Sequence, residues 1–135
     1  MTIIYPNTFR LIQINDGFPT RSKRSYSRDC KNIYSRQCLI SGLSEPDVKL
    51  AAHHLFNCRD FPLLELCVFN SVCISTDFHK EFHKLYGIYC TPTQFLMYID
   101  LCRRTKPELN VQNLNKLSAW VTFLDREIRA RHPIL

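Results

Sequence analysis

The sequence predicts an α+β fold, strands first and helices after. Two observations predict it. Between residues 37 and 75 the apolar residues fall in short β-prone runs, "QCLIS", "KLAAHHLF", "LLELCVFN" and "VCIS", separated by turn residues. From residue 76 onward the apolar period changes from two to 3.6, in stretches that each begin at a capping residue. The chain has 135 residues, 45% of them hydrophobic and 22% charged, which suits one domain with a core of ordinary size.

Residues 1–36 mix aromatics with hydroxyls and cations, as in "RSKRSYSRDCKNIYSR", and show no apolar helical period. They are expected to form an extended, loop-like basic arm in which Lys23, Arg24, Arg28, Lys31 and Arg36 reach phosphate oxygens. The domain proper is assigned to residues 37–135. "QCLIS" reads as a short strand closed by Gly42, with "SEPD" as the turn after it. "KLAAHHLF", residues 49–56, reads as a strand. "LLELCVFN" and "VCIS", at 63–70 and 72–75, read as strands with a return or a bulge at Asn70 and Ser71. Ser75 or Thr76 then caps a helix that Gly87 ends. "TPTQ" opens the next, over about 92–104, with Thr91 as N-cap, Pro92 at the first position and Gln94 completing a capping box. The last helix runs over about 111–131 from the cap Asn110, with Pro133 beyond its end and a stripe of Val111, Leu114, Leu117, Val121, Leu124 and Ile128.

Net charge is +6, from 18 basic and 12 acidic residues. Residues 1–36 carry seven basic and two acidic side chains, residues 37–99 four and six, and residues 100–135 seven and four. Basic flanks around a near-neutral centre suit a polyanion gripped at its sides, although ordinary solvated charge gives the same pattern. No apolar run approaches the roughly 20 residues of a membrane-spanning helix. The first residues lack the features of a secretory signal, so the expectation is action in the compartment of synthesis. The seven cysteines include no C-x-x-C pair. Cys38, Cys67, Cys73 and Cys102 are read as buried thiols in a reducing compartment.

The chemistry-bearing residues are histidines. His79 and His83 stand at i and i+4, on one helix face, where two imidazoles can share one ion. A zinc-protease reading fails because Lys80, not glutamate, follows His79. A two-Cys, two-His finger fails because Cys73 precedes His79 by only six positions, where about twelve are needed. His53 and His54 are consecutive on an extended segment and must point to opposite sides. One can turn to the helix pair and complete a three-histidine face, while the other faces a water molecule.

The order His53-His54, Asn70, His79, His83 on strand, loop, strand and helix resembles the His-Asn-His signature of HNH endonucleases. The wider run from "CLISG" to "TPTQFLMYI" is similar to the small intron-encoded homing endonucleases of plastids, cyanobacteria and phages. The resemblance covers about residues 21–100; nothing in 101–135 contributes to it. It implies a ββα-metal core over about 49–87. His53, His79 and His83 would be metal ligands, His54 the general base, and Asn70 a brace for the loop that holds His54. It implies hydrolysis of double-stranded DNA to a 5′-phosphate and a 3′-hydroxyl, by a monomer or homodimer, in a plastid or a cyanobacterial or phage-infected cytoplasm.

The implied cofactor is one divalent metal ion and no organic molecule. Magnesium serves many of these enzymes and is the expected ion, with zinc, manganese or nickel as alternatives; three imidazoles favour softer ions such as zinc, nickel or cobalt. Lys80 and Lys84 lie one step round the helix and are candidate phosphate contacts, or plain solvated charges. Two alternatives stand beside the homing enzyme: a nucleic-acid-binding module with a structural metal, such as an intron-splicing helper, and a non-specific toxin-like nuclease.

Overall fold

A computed structural model describes residues 3–8 and 22–132. Among them are four α-helices and one two-stranded antiparallel sheet, an α+β arrangement. The elements are α1 (Lys23–Ile33), β1 (Leu50–His54), β2 (Ser71–Ser75), α2 (Thr76–Tyr86), α3 (Pro92–Thr105) and α4 (Val111–Arg131).

The basic segment departs from expectation. Residues 23–33 are helical, not extended; Ser22 caps the first turn by accepting from the Ser25 N–H at 3.1 Å, and the helix packs on the hairpin. The helix has an inward stripe after all: Tyr26 and Cys30, with Tyr34 one turn on, are buried. A stripe of tyrosine and cysteine carries too little hydropathy to stand out among five cations. The earlier part of the expected arm, residues 9–21, lies outside the described residues.

The run 37–41 is a tight turn and not a strand. The Gly42 N–H donates to Cys38 at 2.7 Å, the Cys38 N–H donates to Leu43 at 2.8 Å, and Gln37 makes one isolated bridge to Ser44. Cys38, Leu39 and Ile40 are consecutive and fully buried, so both sides of the segment face protein. Gly42 takes the left-handed conformation that closes the turn (φ 79°).

Residues 63–70 are also not a strand. Two single 3-10 turns, Pro62–Leu64 and Val68–Asn70, carry the chain back to β2. Pro62 lacks the N–H that a ladder needs, and its fixed φ suits the first position of a helical turn. The strand therefore begins at Ser71, and β1 and β2 pair from Leu50↔Ser75 to His54↔Ser71 across the long connection 55–70. The α2 helix follows with no linker, the Ser75 hydroxyl accepting from the Phe78 N–H at 3.3 Å, and folds back over the hairpin. Gly87 ends it in the left-handed region (φ 81°).

Helices α3 and α4 match the sequence reading, including the Thr91–Gln94 capping box and the Asn110 cap. Leu114, Leu117, Val121, Leu124 and Ile128 are fully buried, while Val111, at the helix start, is half exposed. Pro133 lies outside the described residues. Tyr34 ties the parts together: its hydroxyl donates to the Ser71 carbonyl at 2.7 Å and accepts from the Trp120 indole at 2.9 Å. Cys38, Cys67, Cys73 and Cys102 are buried as expected, and so are Cys30 and Cys90; none of the seven thiols forms a disulfide. No helix among the described residues is long and apolar enough to cross a membrane.

Candidate metal centre

Pleating sends His53 and His54 to opposite sides of β1. His53 turns inward beneath α2 and is fully buried. Its ring lies 5.4 Å from that of His79 and 5.6 Å from that of His83, centroid to centroid. Phe82 of α2 and Phe95 of α3 wall it in, each 4.8 Å away. One nitrogen from each of His53, His79 and His83 lies within 4.8 Å of the others. The three residues thus form a cluster able to hold a metal ion.

Neither ring nitrogen of His53 has a hydrogen-bond partner. A buried polar atom left in this state costs about 1–3 kcal/mol, and a ligand that took up one of these nitrogens would recover part of that cost. Burial, with the neighbouring imidazoles adding to it, holds the His53 pKa well below its ordinary value. The ring is neutral and offers a lone pair.

The helix pair is arranged to match. His83 Nδ1 lies 2.8 Å from the Gly87 carbonyl, which only accepts, so Nδ1 carries the hydrogen and Nε2 keeps its lone pair. Fixing a ligand's tautomer through its second nitrogen is how proteins orient metal-binding histidines. That Nε2 meets His79 Nε2 at 2.9 Å, and the two share one hydrogen. Nitrogens bound tetrahedrally to one zinc-sized ion stand about 3.3 Å apart, so the pair is already near ligand spacing. Burial and the His83 ring push His79 down to about 4.

His54, on the other side, is half-buried. Its ring stacks on Tyr26 of α1, centroids 4.4 Å apart and planes 6° from parallel. Its Nε2 donates to the Glu65 carbonyl at 2.7 Å, which leaves Nδ1 with the lone pair. Burial lowers its pKa, with the Glu65 carbonyl and carboxylate opposing. His54, His79 and His83 line one cleft of about 270 Å³. A proton acceptor and two of the three clustered histidines therefore adjoin the same space.

Asn70 is fully buried and braces the connection between the strands. Its Nδ2 donates to the carbonyls of Phe56 (3.0 Å) and Leu64 (3.2 Å), and its Oδ1 accepts from the Phe56 N–H (2.8 Å). Leu64 precedes Glu65, so this brace sets the carbonyl that orients His54.

The cations expected on DNA are less uniform. Lys23, Arg24 and Arg28 are exposed on α1, with Lys23 paired to Glu65 (3.3 Å) and Arg28 to Asp29 (3.2 Å). Lys31 is half-buried on the same helix. Arg36 is engaged by Glu45 and Asn32, both at 2.6 Å. Lys80 and Lys84 are exposed on α2. Sequence reasoning missed Tyr26 and the Glu65 carbonyl. The four-residue step from Tyr26 to Cys30 was the available signal for the first; a backbone carbonyl leaves none. Comparisons of the chain with protein-family models, with curated proteins and with solved structures find no match in any of the three.

Proposed function

We propose that the chain is a metal-dependent DNA endonuclease of the HNH type, with strand, loop, strand and α2 as its ββα-metal core, and of the intron-encoded homing kind. The observation that carries the reading is His53: a fully buried imidazole with both nitrogens unpartnered, set against His79 and His83. The donor set fits a divalent cation of borderline softness, zinc, nickel or cobalt, and suits the oxygen-seeking magnesium and manganese less well. His53, His79 and His83 would hold it. A bound cation supplies Lewis acidity toward the phosphate and its departing 3′-oxygen.

The remaining work belongs to the protein. His54 accepts a proton from water on Nδ1, because its Nε2 hydrogen is committed to the Glu65 carbonyl. The water oxygen bonds to phosphorus, the bond from phosphorus to the 3′-oxygen breaks, and the departing 3′-alkoxide takes a proton from solvent water, leaving a 5′-phosphate and a 3′-hydroxyl. Asn70 keeps the connection, and with it the Glu65 carbonyl, in place. The Tyr26 ring holds the plane of His54. Exposed Lys23, Arg24, Arg28, Lys80 and Lys84 supply charge for the DNA backbone, with Lys31 and Arg36 beside them.

The test is nicking of supercoiled plasmid with magnesium, manganese or zinc added in turn. Wild type is expected to nick, and His54→Ala to lose about 100- to 10,000-fold in rate, the range for a general base, while still binding metal. Metal binding without nicking by folded wild type would favour the module with a structural metal. Digestion at arbitrary positions would favour the toxin-like nuclease over the homing type.

A further inference from the structure

The metal cleft has a second pair of side chains at its mouth that the reaction above does not use. Arg59, from the connection after β1, lies over the ring of Tyr89, from the loop after α2, with its guanidinium carbon 3.6 Å from the ring centroid. Both line the cleft that His54, His79 and His83 line. The two loops are fastened to each other beneath them. The Asn57 side-chain amide donates to the Cys90 carbonyl at 2.9 Å, and its backbone N–H reaches the same oxygen at 3.2 Å. The Gly87 carbonyl, two residues before Tyr89, is the one that orients His83. The pair is thus registered against the cluster and not loose on the surface.

The pair is open to solvent. Tyr89 is 49% exposed and its neighbour Ile88 64%, while the Arg59 side chain is 60% exposed. A guanidinium holds its N–H donors in one plane, in a fixed fork. Nε is used by Asp60 at 3.2 Å, which leaves the terminal N–H groups for an acceptor. A tyrosine ring offers its face to a base without regard to sequence.

We propose that Arg59 and Tyr89 form a nucleotide subsite at the mouth of the metal cleft, taking the phosphate and base of a nucleotide flanking the cleaved bond. The subsite rests on the endonuclease reading. Arg59 donates to the phosphate, and Tyr89, which carries Arg59 on one face, stacks its other face on a base drawn out of the duplex stack.

The test measures binding of a short fluorescent DNA duplex in EDTA, where nothing is cleaved, across a salt series. Arg59→Ala is expected to lower the slope of log affinity against log salt by about one, the loss of one phosphate contact. Arg59→Lys should keep that slope yet bind more weakly, because the stacked fork is gone. Tyr89→Ala should bind about tenfold more weakly at an unchanged slope, since one stacked base carries an effect of that order, and Tyr89→Phe should restore the loss. Arg104→Ala, an exposed cation on α3, serves as the charge-matched control with wild-type affinity. Wild-type binding with Arg59→Ala and Tyr89→Ala indistinguishable from it would overturn the subsite and leave the endonuclease reading standing. No binding by wild type would overturn both.

Discussion

On the inner side of β1, His53 is walled by Phe82 and Phe95 and has both nitrogens buried without a partner. On the outer side, His54 is stacked on Tyr26, bonded to Glu65 and open to the cleft. One residue apart, the first is short of hydrogen bonds and the second has its orientation set by them. The difference teaches how a small chain separates holding from reacting. An unsatisfied buried group stores a preference for a ligand, while a satisfied one has a fixed direction.

The largest stability effect expected from this contrast is at Asn70, which supports the outer side. Asn70→Ala should cost about 3 kcal/mol in chemical denaturation, because two carbonyls and one N–H lose their buried partner. Next is the ligand response of the inner side. Zinc at a hundredfold excess over its dissociation constant should stabilise wild type by about 2.7 kcal/mol, read as a rise in Tm that EDTA reverses. His79→Ala should show no such rise, and a full zinc response in that variant would break the three-histidine assignment.

His53→Leu sharpens the comparison. In EDTA it should match or exceed wild type in stability by about 1–2 kcal/mol, since the change removes two unsatisfied nitrogens from an apolar site. Its zinc response should vanish. A clear loss of stability in EDTA would mean that His53 has a structural partner.

The smallest effect lies on the back of α2, where Tyr98 donates to Glu81 at 2.7 Å and Lys106 approaches at 3.3 Å. The Tyr98 hydrogen bond foremost, with Lys106, holds the Glu81 carboxyl below its ordinary 4.5. A carboxyl depressed by folding adds stability above its unfolded pKa and loses it as pH falls through the folded one. Wild type should therefore exceed Glu81→Gln at pH 7 by only about 0.5 kcal/mol, given the screening of a partly exposed pair. The gap should close as the pH drops below 4.5.

Much was legible in the sequence because it is local. Caps at Ser75, Thr91 and Asn110 act within one turn, and the leucine stripe of α4 states its own buried face. The i, i+4 spacing of His79 and His83 places them on one face of any helix, and the adjacency of His53 and His54 parts them on any strand. Other features depend on what lies across the fold. Residues 23–33 are helical because Tyr26 and Cys30 find a hairpin to pack on. "LLELCVFN" is bent into 3-10 turns because Asn70 takes up the carbonyls of Phe56 and Leu64, one of them fourteen residues away. Which histidine of the 53–54 pair faces inward was decided by the register of β1 on β2 and the seat of α2 above it. Short-range geometry is written in residue order, but burial and partnership come from distant segments, and only folding brings those together.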